Sequence, residues 1–297
     1  MFSSLHRRVR TTPWLGRTVL KSIPDLKWHI YIEPIGKMAI RLRQHRMFWL
    51  RPALAHEGFL LGGLQRFVHS GDVVYDIGAN IGLYSRFVVQ QFGASRVCAF
   101  EPMESNRLLL AENVKIAGCD SRVSIFQCAV GNEDGTVEFQ IDDLTSNSGA
   151  LDAVTGGKAS PSRAQYGLPP RTVHVKIARL DTLIEADGLP RPDVVKLDVE
   201  GAEAMALEGA KHLLTSHGPR LVIELHGAEV ARRVAEMLWS FGYHCFGPLI
   251  KDDASTYQEV TREKLTVVTD KYSLHYLLAS KNRDDLLPPL EEFAIAS

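Results

Sequence analysis

Two constellations in this chain combine residue types and spacings suited to binding and reaction. The first is the turn Asp76-Ile77-Gly78-Ala79-Asn80-Ile81-Gly82, followed by Glu101. Gly78 can take a positive φ and lets ligand atoms approach the backbone, while Gly82 opens a helix whose first N–H groups are free. Asp76 would orient the turn or meet a cationic group. Glu101, ending the next apolar run, is placed to accept two hydrogen bonds from a ribose diol. The second constellation is Lys196, Asp198 and Glu200, with Glu224 and His226 further on. Period-two geometry puts the first three on one face of an extended strand, with Val195, Leu197 and Val199 on the other. Charged groups on an apolar strand are costly unless paired or functional, so five ionisable groups are expected to converge on one rim. An ion pair between Lys196 and Glu200 is the plainer alternative for those two.

The glycine spacing separates two cofactor classes. The dinucleotide fingerprint G-x-G-x-x-G requires glycine where this chain has Asn80 and Leu83. A G-x-N-x-G turn preceded by Asp suits a ligand with an amino-acid end and no pyrophosphate, such as S-adenosylmethionine. Transfer of that ligand's methyl group to an acceptor that carries a proton would need a group to remove it. Asp198 or His226 is the candidate base, His226 because its ordinary pKa of about 6.5 lies near working pH. The other route has Asp198 and Glu224 hold a Mg²⁺-like ion. No third carboxylate or Asn follows directly on Glu224, so the metal-free route is preferred. Glu203 reads as a first-turn residue favoured by the helix dipole rather than as a chemical group. The rival functions are a non-catalytic S-adenosylmethionine-binding protein and an NAD-dependent oxidoreductase.

Positioning these groups is the task of a rhythmic stretch of elements. Val73 to Ile77, Arg96 to Phe100 and Arg122 to Gln127 are apolar runs rich in β-formers, separated by helical stretches to about Gln91 and over 103–117. A helix precedes them from about Glu57 to His69. Strands alternating with helices predict an α/β fold with a parallel sheet and crossover helices. Its ligand sits outside the carboxyl ends of the strands, where their order reverses. Thr136 to Ile141 and Thr172 to Ile177 alternate like hairpin strands, with a Gly/Ser/Pro-rich loop, 144–170, between them. Ser146, Asn147 and Ser148 open that loop and are candidates to touch substrate. Alternation resumes with Asp193 to Leu197, a helix over 202–216, Leu221 to Leu225 and a helix over 229–241. Tyr243 to Ile250 and Leu274 to Ser280 are expected to pair antiparallel at one sheet edge.

Composition bounds the function. Hydrophobic residues at 45% and charged residues at 23% describe a chain with a substantial core. A net charge of -1 argues against a dedicated nucleic-acid binder. The balance is uneven, because residues 1–51 hold 11 Lys/Arg against 2 Asp/Glu. Arg41, Arg43, Arg46 and Arg51, beside Phe48 and Trp49, could cover the acceptor site or meet an anionic glycan or, peripherally, an anionic membrane surface; a solvated docking segment is the plainer reading. Arg17 interrupts the apolar stretch Trp14 to Leu20, so no ordinary secretory signal is expected, although an organelle transit peptide fits by composition. No apolar run reaches transmembrane length. Cys98, Cys119, Cys128 and Cys245 show no zinc-ligand spacing and fit a reducing compartment, the cytoplasm.

VVYDIGANIGLYS (73–85), AFEP (99–102), AVGNEDG (129–135), ARLDTL (178–183), VKLDVEGAE (195–203) and VIELH (222–226) resemble, in order, the blocks of the FkbM family of S-adenosylmethionine-dependent methyltransferases. The resemblance covers roughly residues 55–280. It implies a class I methyltransferase fold: a Rossmann-like sheet of seven strands with one antiparallel strand. It also implies O-methylation of a small-molecule or glycan acceptor, a sugar or natural-product hydroxyl. Carried over, it puts the methionine end of the cofactor at Asp76, Gly78, Asn80 and Gly82, with Tyr84 and Ser85 nearby. Glu101 would hold the ribose, and Pro102 with Cys128 and Ala129 would flank the adenine; packing is the alternative for Cys128. The expected organisation is a basic segment 1–54, a methyltransferase domain 55–285 with an inserted lid 136–177, and a tail 286–297.

Overall fold

The computed structural model describes residues 25–46, 48, 54, 57–142, 148–151, 154, 163–164, 167–251, 254–266 and 274–287. The described chain begins with an antiparallel hairpin, Lys27–Ile32 (β1) and Gly36–Arg41 (β2). Helix Gly58–Phe67 (α1) follows, and then the expected rhythm: Val73–Ile77 (β3), Leu83–Phe92 (α2), Arg96–Phe100 (β4), Glu104–Ile116 (α3) and Val123–Phe126 (β5). Ala129–Val130 (β6), Gly135–Asp142 (β7), Ser148–Leu151 (β8) and Thr172–Ala178 (β9) form the insertion, after which comes the short helix Leu180–Glu185 (α4). The second half runs Val194–Leu197 (β10), Glu203–Glu208 (α5), Arg220–Glu224 (β11), Ala228–Ser240 (α6), His244–Lys251 (β12), Ala254–Glu259 (β13), Arg262–Thr266 (α7) and Tyr276–Ser280 (β14).

The central sheet has the order β5-β4-β3-β10-β11-β14-β12-β13. The first five strands are mutually parallel, and β14 runs antiparallel between β11 and β12. This is the class I methyltransferase arrangement with one strand added. The sheet therefore has eight strands where seven were expected, and the β12–β14 pair lies inside the sheet, not at its free edge. The added strand is β13, whose described run ASTYQE is polar. An edge strand has one neighbour and need not bury both faces, so it leaves no apolar run to read.

Helices cover both faces. On one, α1, α2, α3 and the β1–β2 hairpin bury Leu60, Leu64, Phe87, Leu110, Met38 and Ile40 against Val74, Val97 and Val222. On the other, α5 and α6 bury Ala206, Leu207, Val234 and Leu238 against Tyr75, Val195 and Ile223. Two-sided burial is why the parallel strands read as near-continuous apolar runs. The helix expected over 202–216 breaks after α5. Gly209 lies so close to Gly131 that a Cβ there would sit 1.9 Å from its carbonyl oxygen. The Asp181 carboxylate then accepts from the His212 and Leu213 N–H groups at 2.8 and 2.9 Å and starts a new helical turn.

The hairpin is held by two buried side chains. Arg86 donates to the carbonyls of Ile35 and Lys37, and Asn113 both accepts from the Ala39 N–H and donates to the Ala39 and Ile81 carbonyls. Arg41 and Arg43 each face Asp25 at 3.7 Å, whereas Trp49 and Arg51 lie outside the described residues. In the insertion β7 and β9 pair antiparallel as expected, from Gly135 opposite Ile177 to Gln140 opposite Thr172. Part of the stretch read as loop is strand β8, paired with β7; Ser146 and Asn147 lie outside the described residues. Among those residues no helix is long and apolar enough to cross a membrane.

Candidate active site

The strand order reverses between β3 and β10, and a cleft opens at their carboxyl ends, the place where a doubly wound sheet binds its ligand. Gly78, Asn80, Glu101, Pro102, Cys128 and Ala129 line one part, and Asp198, Val199, Glu200 and Ala202 another. Phe139 and Leu151, from the inserted sheet, complete an apolar wall with Phe100 and Val130. The turn after β3 is left-handed at Gly78 (φ 75°), Asn80 (φ 50°) and Gly82 (φ 85°).

Glu101 is 5% exposed and already well tied. Its carboxylate accepts from the Asn80 and Met103 N–H groups, each at 2.9 Å, and from the Asn106 amide at 3.4 Å. Burial nevertheless pushes its pKa up to about 7, against those hydrogen bonds and the Lys196 charge. Burial likewise pushes the Cys128 thiol up to about 11.

Four of the residues expected to meet ligand lie beneath the cleft instead of on its wall: Asp76, Tyr84, Ser85 and Lys196, all buried. The Ser85 hydroxyl donates to Asp76 at 2.6 Å. Lys196 Nζ lies 3.3 Å from Asp76 and 3.5 Å from Asp198, donates to the Gly78 carbonyl at 3.0 Å, and sits over the Tyr84 ring. Burial would lower its pKa, but Asp76 and Asp198 carry it up to about 12. Lys196 is thus a strut under the turn and not a rim group, and it pairs with Asp76 and Asp198 rather than with Glu200. The period-two reading fails past Leu197 because the strand ends there and Glu200 turns left-handed (φ 52°). Gly82 caps α2 behind the cleft, and the Tyr84 hydroxyl donates to the Glu57 carboxylate, an interaction not anticipated from sequence.

The other four ionisable groups do converge. His226 Nε2 lies 3.7 Å from Glu200 and 3.9 Å from an oxygen of each of Asp198 and Glu224. Asp198 and Glu224 are the pair considered for a metal ion; this imidazole faces both, and Lys196 Nζ also lies 3.5 Å from Asp198. Behind the ring, Nδ1 lies 2.7 Å from Glu203, a contact sequence reasoning missed. Glu203 does open α5 as expected, but no spacing rule links the starts of two successive crossover helices. Burial would lower the His226 pKa; the Glu203 hydrogen bond and the Glu200, Glu203 and Asp198 charges outweigh it and raise it to about 9. Burial and the Asp198 carboxylate push Glu224 upward, with His226 opposing.

This geometry has relatives. Residues 76–245 match the sequence model of the FkbM methyltransferase domain. The chain belongs to the FkbM methyltransferase family. That membership goes against the dinucleotide alternative. Hexuronic acid methyltransferase AglP of Haloferax volcanii is 27% identical over 167 residues, 56% of this chain and 61% of that protein. The 31-O-demethyl-FK506 methyltransferase FkbM of Streptomyces tacrolimicus is 26% identical over 201 residues, 62% of this chain and 76% of that protein. A solved FkbM methyltransferase from Methylobacillus flagellatus KT aligns with 71% of this chain and 43% of its own, at 18% identity and a TM-score of 0.43. This FkbM chain therefore spans only about three-fifths of AglP.

Proposed function

We propose that this FkbM chain is an S-adenosylmethionine-dependent O-methyltransferase acting in the cytoplasm on a hydroxyl of a sugar, glycan or natural-product acceptor. One observation carries the reading: Asp198 and Glu200, which line the cleft that holds the Glu101 carboxylate, also belong to the cluster around His226. The residues present fit the cofactor. Asn80 Oδ1 is buried without a partner beside the cleft it lines, ready for the amino-acid end. Glu101 suits the ribose diol. Pro102, Cys128 and Ala129 with the apolar wall suit the adenine. When bound, the cofactor supplies an electrophilic methyl group on a sulfonium.

The chain's own residues do the rest. The walls align the acceptor hydroxyl, a contribution on the order of 7–11 kcal/mol in the best-aligned systems. His226 Nε2 takes the hydroxyl proton. Asp198 is the weaker candidate, since one of its oxygens is committed to Lys196. The sulfonium's positive charge, brought beside the rim, favours the neutral imidazole that this role needs. The names of AglP and of the FK506 enzyme, which specify a sugar acid and a natural product, support the acceptor class. Four buried, unpaired cysteines support a reducing compartment.

The experiment has two arms. Calorimetric titration with S-adenosylhomocysteine should give binding that Glu101→Ala weakens. Incubation of extracts with methyl-labelled cofactor, followed by mass spectrometry, should reveal a labelled hydroxyl. Tight binding with no labelled product from any acceptor pool would favour a non-catalytic binding protein.

A further inference from the structure

Glu203 is the charged group near the rim with the least access to solvent: its side chain is fully buried. Its Oε1 lies 2.7 Å from His226 Nδ1 and also accepts from the Gly201 N–H at 3.0 Å, while Oε2 has no partner. A carboxylate that served only the dipole of α5 could do so from solvent. Burying it with one oxygen unsatisfied is costly, and such a cost points to a task beyond folding.

We propose that Glu203 is a positioning residue for methyl transfer, which holds the hydrogen of His226 on Nδ1 and turns Nε2 toward the acceptor while tying the ring to the cofactor-facing loop. The inference rests on the reading of His226 as proton acceptor. Three carboxylates face Nε2: Asp198, with Lys196 behind it, Glu200 and Glu224. None of them can donate when ionised, so each competes to draw a ring N–H toward itself. A fourth carboxylate on Nδ1 breaks that competition. It fixes which nitrogen carries the hydrogen, as the carboxylate partner does in other carboxylate–histidine pairs.

The tie to the loop uses the same oxygen. Glu200 and Gly201 are both left-handed, at φ 52° and 96°. The Gly201 N–H that ends this bend donates to Glu203 Oε1. Val199, Glu200 and Ala202 on either side line the cofactor cleft. A ligand settling against that loop therefore acts on the atom that orients the imidazole.

The test compares Glu203→Ala with the wild-type protein in three measurements. Long-range proton–nitrogen spectra of the His226 ring, taken above pH 9 where the imidazole is neutral, should show hydrogen on Nδ1 alone in the wild type and its loss or exchange broadening in the variant. Turnover should fall on the order of 100-fold, while S-adenosylhomocysteine affinity and the KM for cofactor change less than about threefold. Glu203→Ala combined with His226→Ala should be no slower than His226→Ala alone, because the two act as a unit. An unchanged ring spectrum in Glu203→Ala, or full additivity in the double variant, overturns the proposal. If Glu203→Ala does not fold, Glu203→Gln takes its place: it should keep hydrogen on Nδ1 yet alter the pH profile of turnover, and a wild-type profile would overturn the idea. The ring spectrum needs no methyl acceptor. A displaced ring hydrogen in a protein that methylates nothing would thus sink the enzymatic reading and, with it, the catalytic use of the pair. An undisplaced hydrogen in an active enzyme sinks this inference alone.

Discussion

Asp76 and Lys196 form an ion pair 3.3 Å long with both side chains 1% exposed, directly beneath the first turn of the sheet. Neither reaches the cleft. Lys196 also holds the Gly78 carbonyl, so the pair fixes backbone that lines the cleft. Removing Lys196 leaves the Asp76 carboxylate buried with only the Ser85 hydroxyl to compensate its charge, at a cost of about 3–5 kcal/mol. Lys196→Met should therefore lower the denaturation midpoint strongly. Lys196→Met with Asp76→Asn should lower it by less than the sum of the singles. Strict additivity in denaturant titrations would show that the two do not act as a pair.

Cofactor affinity should depend on pH through Glu101. Burial raises this carboxyl to about 7 in the free protein, and only the ionised form accepts both hydrogens of a diol. Affinity for S-adenosylhomocysteine should accordingly fall as pH drops below 7, and binding near pH 7 should release protons. Glu101→Gln should weaken binding about 10- to 100-fold, the scale of one to two hydrogen bonds to a charged group. It should also flatten the pH dependence. Calorimetry in buffers of different ionisation enthalpy reads both, and a proton release that persists in Glu101→Gln would assign the effect elsewhere.

His226 gives a second pH signature, in turnover instead of affinity. With its pKa raised to about 9, the imidazole is mostly protonated at neutral pH in the free protein, so kcat/KM should rise with pH toward that value. His226→Ala should cut turnover about 10²- to 10⁴-fold and leave S-adenosylhomocysteine affinity within a factor of about two. Stability follows by linkage. A folded-state pKa above the ordinary 6.5 contributes stability that is complete below 6.5 and is lost as pH rises through about 9. The thermal midpoint of the free protein should decline across that window, and His226→Ala should remove His226's share of the decline. A rate that is flat from pH 6 to 9 would move the base role to Asp198.

Much of the fold was legible because two-sided burial writes itself into sequence. β3, β4 and β10 are apolar runs, and the helices between them end at glycines such as Gly93. The cleft was legible for the same reason, since its residues sit at strand ends and in the glycine turn. β13 was not, because a polar edge strand has no apolar signature. The rim was half legible. Alternation located Asp198, Glu224 and His226, but it could not show that Lys196 points under the turn or that Glu200 leaves the strand line. The Glu203–His226 contact joins two crossover helix starts, and Tyr84–Glu57 joins α2 to the residue before α1. Contacts of that kind are tertiary and carry no period.

Gly78 offers a sharp test of how the turn meets β10. Its φ of 75° already disfavours any side chain, and a Cβ there would lie 1.8 Å from the Asp198 carbonyl oxygen. Backbone cannot yield that distance as a flexible side chain could. Gly78→Ala must therefore push the turn away from β10, which displaces both the Lys196 contact with the Gly78 carbonyl and the Asn80 N–H bond to Glu101. The expected outcome is loss of measurable S-adenosylhomocysteine binding together with a destabilisation of at least about 1–3 kcal/mol, the scale of forced backbone strain. Gly118→Ala is the control: its φ of 64° is similarly left-handed, but nothing lies within 4 Å of its Cβ position. It should cost some stability and spare cofactor binding. If both variants bind S-adenosylhomocysteine like the wild type, the cofactor does not use this turn.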